Sequence, residues 1–294
     1  MDRLDAMNVL IAAVEAGSLS AASRRLRSPL ATVSRKVSDL EAYVGARLVT
    51  RTNRKLVLTD AGRGYIEAAR RILEHVNEAE RAAAGEYAAP RGDLTISAPV
   101  AFGRMHVLPV VETFLARHAD INVRLLLLDR TVNMLEEHVD LAVRIAPLPD
   151  SNLIATRVGS IRHVVCASPA YLKQHGTPRS LDDLARHACI TFDGLGPAKA
   201  WRFAERDIAV RPRLSVNTAE AVVQAAVSGV GLARVMSYQA ADAVKTGKLK
   251  LLLRSHEPEP WPVSLIYPDQ GMLPLKVRAF LDWAAPRLRK SLAV

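Results

Sequence analysis

The stretch that decides the fold is SPLATVSRKVSDLEAYV, residues 28–44. Ser28-Pro29 is a typical helix start, because a hydroxyl can cap the first turn and proline costs no hydrogen bond at the first helical position. One stripe of the helix is apolar and follows the helical period: Leu30, Val33, Val37, Leu40 and Val44. The other face is small, polar and basic: Ala31, Thr32, Ser34, Arg35, Lys36 and Ser38. The stretch therefore predicts a helix with an apolar back and a basic front.

Two shorter helices are predicted before this one. The first has apolar residues at helical spacing (Met7, Leu10, Ile11 and Val14) and is closed by Gly17. The second is capped by Ser18, and its apolar positions are Leu19, Ala22 and Leu26.

Two apolar segments follow, around Leu48 and around Leu56-Val57-Leu58, and they flank the basic turn RTNRK, residues 51–55. Asn53 is a favoured turn residue, so this part predicts a hairpin with a basic tip. Three helices and such a hairpin make a winged helix-turn-helix. The alternative is a small helical domain with a solvated basic face.

Charge supports a nucleic-acid partner for this domain. The chain carries a net charge of +10. Between Arg24 and Lys55 it has nine Lys or Arg against two acidic residues, Asp39 and Glu41, a density that attracts phosphates. A basic helix face fits the major groove of double-stranded DNA. The predicted DNA-binding residues are Arg27, Pro29, Leu30, Thr32, Ser34, Arg35, Lys36, Arg51, Asn53 and Arg54.

A long helix is predicted from Thr59-Asp60 to about Gly85. It carries a heptad-like seam that favours pairing with a second copy: Tyr65, Ala69, Ile72, Val76, Ala79 and Ala83. The alternative is that this stripe packs against its own domain. A dimer would present two recognition helices to one DNA site.

The remaining two hundred residues alternate between strand and helix patterns after a break at residues 86–92. Predicted segments are strands at 94–97, 123–128, 141–145, 164–167, 190–192, 214–216 and 261–267, and helices at 107–115, around Met134-Leu135, at 219–228 and at 275–288. Alternation of this kind indicates α/β sheets covered by helices. The segment is long for one sheet, so two lobes with a ligand cleft between them are expected.

At this point the N-terminal sequence resembles the signature of LysR-type transcription regulators. The matching motifs are SLSAA (18–22), TVSRKVSDLE (32–41), VGARL (44–48) and LTDAG (58–62), without gaps over about 60 residues. Arg27 departs from the family, since many members have a small residue in that turn. It can contact a phosphate or strain the turn.

A weaker resemblance extends to the effector-binding domain of the same family. Its motifs are RGDLTI (91–96), DLAVRI (140–145), CASPAYL (166–172) and VSGVGL (227–232). The resemblance implies a two-lobed α/β fold like that of periplasmic binding proteins. It also implies a promoter-binding regulator, often tetrameric, whose small-molecule effector alters DNA bending or contact with RNA polymerase. ARVM (233–236) departs from the family, where many relatives have an apolar run ending in proline.

The expected architecture is therefore mixed. Residues 1–59 form the winged helix-turn-helix, residues 60–91 a dimerisation helix and hinge, and residues 92–294 the effector domain. Within the effector domain, the resemblance assigns residues 92–163 and 267–294 to lobe I and residues 164–266 to lobe II.

Loops at strand ends supply the candidate effector site, because helix N-termini there can hold an anion and Arg144 can bind a carboxylate. The candidates are Ser97, Ala98, Pro99, Val100, Phe102, Arg144, Thr191, Phe192, Thr218 and Val230. Each also has an ordinary explanation, as a helix cap, an internal ion pair or a core residue. Together they predict a small effector, with an anionic one favoured.

Other classes of protein fit the sequence less well. It has no HExxH, G-x-S-x-G, Walker or G-x-G-x-x-G motif, so we expect neither an enzyme nor a cofactor. A transport binding protein would need a signal peptide and would have no use for the first ninety residues. A non-specific architectural DNA binder would be distinguished by footprinting, because it protects no particular sequence. The acidic start and the lack of a long apolar run favour the cytoplasm and argue against a membrane partner. Cys166 and Cys189 are expected to be buried thiols, with a redox disulfide as the alternative.

Overall fold

The structure is a computed structural model that describes residues 1–51, 56–83, 89–149, 151–193, 200–269 and 273–293. The chain divides into two compact units, Met1–Ala89 and Pro90–Val294, each described by itself below.

The N-terminal unit begins with three helices: α1 Arg3–Glu15, α2 Leu19–Arg25 and α3 Leu30–Val44. Asp2 caps α1, because its carboxylate accepts hydrogen bonds from the amides of Leu4 and Asp5 at 3.0 and 3.3 Å. The Ser18 hydroxyl caps α2 by accepting from the Ala21 amide at 3.1 Å, as predicted. Local side-chain chemistry thus fixes where the first two helices begin.

The start of α3 differs from the prediction. Its cap position is occupied by Pro29 and not by Ser28, and no side chain caps the helix. The Ser28 carbonyl instead accepts a hydrogen bond from the Ser23 hydroxyl at 2.6 Å. The Pro29 carbonyl accepts from the amides of Thr32 and Val33, which begins the helical ladder.

The core of this unit lies behind the middle of α3. Val33, Val37 and Leu40 are at most 3% exposed and pack against α1 and α2, as the apolar stripe predicts. The prediction of burial is wrong for the two end positions of the stripe, because Leu30 is 46% and Val44 37% exposed. The core covers only the middle turns of α3, so its end positions reach solvent.

The predicted hairpin is present beside α3. Strand β1, Val49–Arg51, pairs antiparallel with β2, Leu56–Leu58, with Thr50 opposite Val57. Its tip, residues 52–55, lies outside the described residues.

Helix α4, Asp60–Ala83, begins in a tight turn against this hairpin. The Thr59 hydroxyl donates a hydrogen bond to the Arg47 carbonyl at 2.7 Å and accepts one from the Gly62 amide at 2.9 Å. A Cβ atom added to Gly62 would lie 1.9 Å from the carbonyl oxygen of Leu48. Only glycine therefore fits at this approach.

The C-terminal unit contains the remaining elements. Its strands are β3 Gly92–Ala98, β4 Ile121–Leu127, β5 Leu141–Ile145, β6 Leu153–Ile161, β7 His163–Ala167, β8 Cys189–Phe192, β9 Ala200–Arg202, β10 Asp207–Ala209, β11 Pro212–Val216, β12 Leu232–Met236, β13 Lys250–Leu252 and β14 Trp261–Pro268. Its α-helices are α5 Val100–Phe102, α6 Leu108–Leu115, α7 Pro169–His175, α8 Ala219–Val227, α9 Ser237–Lys245 and α10 Leu275–Leu292. A π-helical segment, Gly103–Val107, joins α5 to α6.

Lobe I is built on a sheet with strand order β4-β3-β5-β14-β6. Strand β3 is parallel to β4 and β5, whereas β14 is antiparallel to β5 and β6. Helices α6 and α10 cover this sheet, with Phe114 and Phe280 in edge-to-face contact at 5.1 Å between ring centroids.

Lobe II is built on a second sheet with strand order β11-β8-β12-β7-β13. Strands β11, β8 and β12 run parallel, and β7 is antiparallel to both β12 and β13. Val222 and Ala226 of α8 are buried on one face of the sheet. Trp201 and Phe203, from the β9-β10 region, are buried with Leu232 in the cluster on the other face.

The expected lobe boundaries are corrected by the strand pairing. Strand β14 starts at Trp261 and pairs with β5 and β6, so lobe I resumes before residue 267. His163 opens β7 and belongs to lobe II. The segment around Met134-Leu135 forms turns and not the predicted helix. The strands β6, β9, β10, β12 and β13 and the helices α7 and α9 were not predicted from the sequence.

Replacement of Gly62 by alanine should destabilise the N-terminal unit. The new methyl group meets a backbone oxygen, so α4 must move away from the hairpin, at a cost of about 2 kcal/mol or more. Chemical denaturation of purified protein measures the free energy of unfolding. Gly64→Ala is the control, because a Cβ there meets nothing within 4 Å; alanine in that helical position should be neutral or stabilising by up to about 1 kcal/mol. Equal effects of the two substitutions would contradict the close approach at Gly62.

Candidate nucleic-acid interface and ligand cleft

The exposed face of α3 is small and basic around Arg35. Ala31, Arg35 and Ser38 are exposed, and Thr32 and Ser34 are half-buried. Because no side chain caps α3 and the ladder begins with the Thr32 amide, the amides of Leu30 and Ala31 suit an acceptor such as a phosphate oxygen. The structure thus brings the predicted base-reading residues to one end and one side of the helix.

Lys36 lies on the flank of α3 and not on its exposed front. Its ammonium forms an ion pair with the carboxylate of Asp5 in α1. The Lys36 charge is therefore compensated within the unit, and the pair ties α3 to α1.

The turn between α2 and α3 contains a conformation that disfavours side chains. Arg27 is exposed and has a φ of 50°, in the left-handed region. Its amide donates to the Arg24 carbonyl at 3.3 Å, which closes the turn. A residue with a Cβ pays about 1–2 kcal/mol in this conformation, a cost that only glycine avoids.

The hairpin is fixed to α3 by Glu41. One oxygen of its carboxylate accepts hydrogen bonds from the amides of Leu48 and Val49, at 2.8 and 3.0 Å. The predicted phosphate contacts of the hairpin depend on residues that are not described: Asn53, Arg54 and the side chain of Arg51. The hydrogen bonds from Leu48 and Val49 to Glu41 fix the start of this hairpin relative to α3.

The predicted pairing seam of α4 divides into two parts. Ala69 is 1% exposed and packs against Met7 of α1, and Tyr65 contacts the same cluster. This half therefore fits the alternative of packing within the unit. Farther along, Ile72 is 43% exposed, Val76 is half-buried and Ala79 is exposed, whereas the side chain of Ala83 lies outside the described residues.

In the C-terminal unit, the carboxyl ends of parallel strands from both lobes come into contact. Arg104, which follows β3, forms an ion pair at 3.1 Å with Glu220 in the first turn of α8, after β11. Tyr238, which follows β12, packs edge-on against Phe102 and His106 of lobe I, with centroids 5.5 Å apart in each case. Ligands bind outside the carboxyl ends of such strands, so this junction is the candidate ligand cleft.

The amide at the start of α5 is already occupied. The Val100 amide donates to the carboxylate of Asp129 at 3.0 Å. Burial raises the pKa of the Asp129 carboxyl, the Val100 amide lowers it, and the nearby Glu220 raises it. The predicted anion site at this helix start is therefore filled by a carboxylate of the chain itself.

Arg144 retains capacity for an acceptor. It is half-buried near the end of β5, and its guanidinium donates to the Thr131 hydroxyl at 3.1 Å. Among the described residues it has no carboxylate partner within ion-pair distance, so the internal ion pair considered for it is not seen there.

The other lobe I candidates differ in how far they reach the surface. Ser97 is 4% and Ala98 1% exposed at the end of β3, and Pro99 is half-buried. Phe102 is fully buried in the core against His106, so its position is that of a core residue and not of an open wall.

Three lobe II candidates, Thr191, Phe192 and Thr218, gather at the ends of β8 and β11, whereas Val230 precedes β12, whose start pairs with the start of β8 at the opposite edge of the sheet. Thr191 is 1% exposed and shares a hydrogen bond of 2.8 Å with the hydroxyl of Ser215. Phe192 and Val230 are half-buried. The Thr218 hydroxyl caps α8 by accepting from the Ala221 amide at 3.3 Å, the ordinary role considered for it.

Sequence reasoning missed Arg104, Asp129, Glu220 and Tyr238. Asp129 had a usable signal, since it follows an apolar strand directly, as Ser97 does. The other three are recognised only through contacts between segments more than a hundred residues apart.

Three features of the described part of the chain bear on other protein classes: metal-binding groups, cysteines and membrane-spanning helices. It holds no group of three or more His, Cys, Asp or Glu placed to bind a metal ion. Cys166 and Cys189 are free and buried, and burial raises the pKa of each thiol to about 12. No single described helix is long and apolar enough to cross a membrane; one pair, Arg3–Glu15 with Leu19–Arg25, passes that test together but is bent by 114°.

Comparison with known proteins gives two family matches that together span most of the chain. Residues 4–63 match the bacterial regulatory helix-turn-helix protein of the lysR family, and residues 88–289 match the LysR substrate binding domain. This chain belongs to the LysR family. Its members are transcriptional regulators and not enzymes.

Individual LysR relatives match along nearly the whole length. The probable HTH-type transcriptional regulator LtrA of Klebsiella pneumoniae is 32% identical, over 96% of this chain and 94% of that protein. The structure of CrgA from Neisseria meningitidis is 30% identical, with a TM-score of 0.62, over 97% of this chain and 98% of that one. Full-length AphB of Vibrio cholerae is 26% identical, with a TM-score of 0.60, over 96% and 98%.

LysR membership confirms the expected fold class. An N-terminal helix-turn-helix domain is followed by a two-lobed α/β substrate-binding domain. The chain is thus a LysR-type transcriptional regulator with a DNA-binding and an effector-binding domain.

Replacement of Arg27 by glycine should stabilise the helix-turn-helix domain. Glycine adopts a φ of 50° without steric cost, so we expect a gain of about 1 kcal/mol in the free energy of unfolding. Chemical denaturation measures it. Arg24→Gly is the matched control, since Arg24 lies within α2 and glycine there should cost up to about 1 kcal/mol. Loss of stability in both variants would show that Arg27 is not strained.

Proposed function

We propose that this regulator recognises a specific promoter site by inserting the start of α3 into the major groove. The observation that carries the proposal is Arg35, which is exposed on a helix whose opposite side forms the domain core. An arginine so placed can bind guanine through two hydrogen bonds. Leu30, Thr32 and Ser34 are proposed to lie near base edges beside it.

Phosphate contacts are proposed for the flanking elements. Arg27 is exposed in the turn before α3, and Arg51, Asn53 and Arg54 belong to the hairpin beside it. Pro29 sets the first turn, whose Leu30 and Ala31 amides suit a phosphate oxygen. We assign Lys36 a positioning role, because Asp5 compensates its charge.

A second copy of the chain is proposed as the partner of α4. Ile72, Val76 and Ala79 form the part of the seam that the domain core leaves uncovered. Pairing along this stripe buries it and doubles the number of recognition helices. A tetramer and contact with RNA polymerase are part of the same proposal. A cytoplasmic location is proposed as well, because promoters and RNA polymerase are found in that compartment.

The effector is proposed to bind where the two lobes meet and to carry an anionic group. Arg144 supports the anion, because its guanidinium is held only by the Thr131 hydroxyl among the described residues. Ser97 adds a hydroxyl at the end of β3. Binding there would change the contact between Arg104 and Glu220, which joins the lobes.

Replacement of Arg35 by alanine tests the recognition helix. Footprinting on the region upstream of the regulator's own gene first identifies a site, and fluorescence anisotropy then measures affinity for that site and its single-base variants. Arg35→Ala should cost about 1–3 kcal/mol of binding and relax the preference at one base pair.

Arg117→Ala is the control for this experiment, because it removes the same charge from an exposed position of the C-terminal unit. It should leave the base preference unchanged. A uniform loss over all duplexes in Arg35→Ala, or the absence of any protected sequence, would contradict base reading by α3.

Replacement of Arg144 by alanine tests the effector site. A set of small carboxylates is screened for those that raise the melting temperature of the wild type. Arg144→Ala should lose that increase, whereas Arg124→Ala, exposed on β4 of the same sheet, should keep it. An undiminished increase in Arg144→Ala would remove this residue from the site.

A further inference from the structure

Arg234 is a charged residue in an otherwise apolar central strand. It lies in β12 between Ala233 and Val235, which are 0% and 5% exposed. Its neighbour along the same face, Leu232, packs in the cluster that contains Val165 and Trp201. The Arg234 side chain thus lies on the face of the lobe II sheet away from α8, and it is itself only half-buried.

The guanidinium of Arg234 lacks an acceptor. It makes no hydrogen bond or ion pair with any residue that the structure describes. Burial lowers its pKa to about 10, the neighbouring Arg202 lowers it further, and Asp207 raises it. Asp207 is already paired with Arg202, with Nε and Oδ1 3.5 Å apart. The single carboxylate of Asp207 therefore lies near two guanidinium groups, and Arg202, Arg234 and Asp207 together carry a net charge of +1.

His163, two residues from the Val165 that pairs with Arg234, is a second polar side chain on this face of the sheet. It is 8% exposed, and its buried Nδ1 has no hydrogen-bond partner within the described ranges. Burial lowers its pKa to about 3, and Arg234 contributes to this, so the ring is neutral at physiological pH. The ring packs edge-on against Trp261 at 4.4 Å between centroids, which fixes its orientation. A neutral imidazole can still donate one N–H.

A partly desolvated guanidinium without an acceptor is costly, and so is a buried polar nitrogen without a partner. A small anion with two or more oxygens removes both costs at once, since Arg234 can bind it through two parallel N–H groups. We propose that lobe II holds a binding site for such an anion at Arg234, with His163 as a further donor, because His163 lies two residues from Val165, the partner of Arg234 on the neighbouring strand, and thus on the same face of the sheet. Inorganic phosphate, sulfate and a carboxylate share this chemistry.

This site is separate from the proposed effector cleft. Arg144 and Ser97 belong to lobe I, whereas Arg234 and His163 lie on neighbouring strands of the lobe II sheet. The two sites can be removed independently by substitution.

The test compares melting temperatures of the full chain in sodium phosphate, sulfate, acetate and chloride at equal ionic strength. In the wild type, at least one of the three oxygen-containing anions should raise the melting temperature in a saturable way relative to chloride. Arg234→Met keeps the length of the side chain and removes the charge, so it should lose this increase. In chloride it should melt at or above the wild-type temperature, because an uncompensated charge is gone.

Three control variants locate the effect. Arg144→Ala tests the effector cleft, Arg35→Ala the DNA-binding face, and Arg211→Ala an exposed arginine of lobe II. All three should keep the increase that phosphate or sulfate causes, and an increase caused by acetate is assigned to this site only where Arg144→Ala keeps it. If Arg234→Met folds poorly, Arg234→Lys retains a point charge without the paired N–H groups and should weaken anion binding at least several-fold by calorimetry.

The result that overturns the proposal is an anion-dependent increase of wild-type size in Arg234→Met. An absence of any increase in the wild type with all three anions overturns it as well. Loss of the increase in Arg35→Ala, with retention in Arg234→Met, would place the anion on the DNA-binding face instead. A response to phosphate and sulfate but not to acetate identifies a tetrahedral oxyanion as the ligand.

Discussion

The carboxylate of Glu41 is the contact that makes the DNA-binding domain one rigid body. It sits on the last turns of α3 and accepts two backbone amides, from Leu48 and Val49, at the entrance to the hairpin. A carboxylate that accepts backbone N–H groups forms a strong, charge-assisted pair of bonds. The angle between the recognition helix and the hairpin is therefore set by one side chain that holds two backbone amides.

The next contacts extend this rigidity into α4. The Thr59 hydroxyl bridges the hairpin and the first turn of α4, and Gly62 lets that turn approach the Leu48 carbonyl. Two positions of the LysR motif LTDAG, residues 58–62, thus have a structural role: Thr59 and Gly62. A helix that carries the pairing seam is joined directly to the elements that face DNA, so the geometry of a dimer would determine the spacing of its two recognition helices.

Local periodicity and capping chemistry predicted the elements of the first domain well. Val33, Val37 and Leu40 are buried as their spacing requires, and Ser18 caps α2. The failures occurred where the answer depends on distant partners. Leu30 continues the same stripe and is exposed, because the core ends before it, and half of the α4 seam packs against α1.

In the C-terminal unit the limit was strand pairing and contact across the lobes. The apolar strand at residue 261 was recognised, but its membership of lobe I follows only from pairing with β5, more than a hundred residues earlier. Likewise, Ser97 and Arg144 could be selected as polar residues at strand ends. The hydrogen bond from the Val100 amide to Asp129 could not be predicted, because residue spacing does not identify the partner of a side chain.

The position of β14 has a consequence for biosynthesis. Within the described part of the chain, strand β6 is the edge strand of the lobe I sheet and pairs with β14, which is made about a hundred residues later. Lobe II, whose strands all lie between those two segments, can complete its sheet while lobe I still waits on the ribosome. A nascent chain interrupted before residue 261 would therefore carry a finished lobe II beside an unpaired β6, whose free backbone groups can pair with another chain.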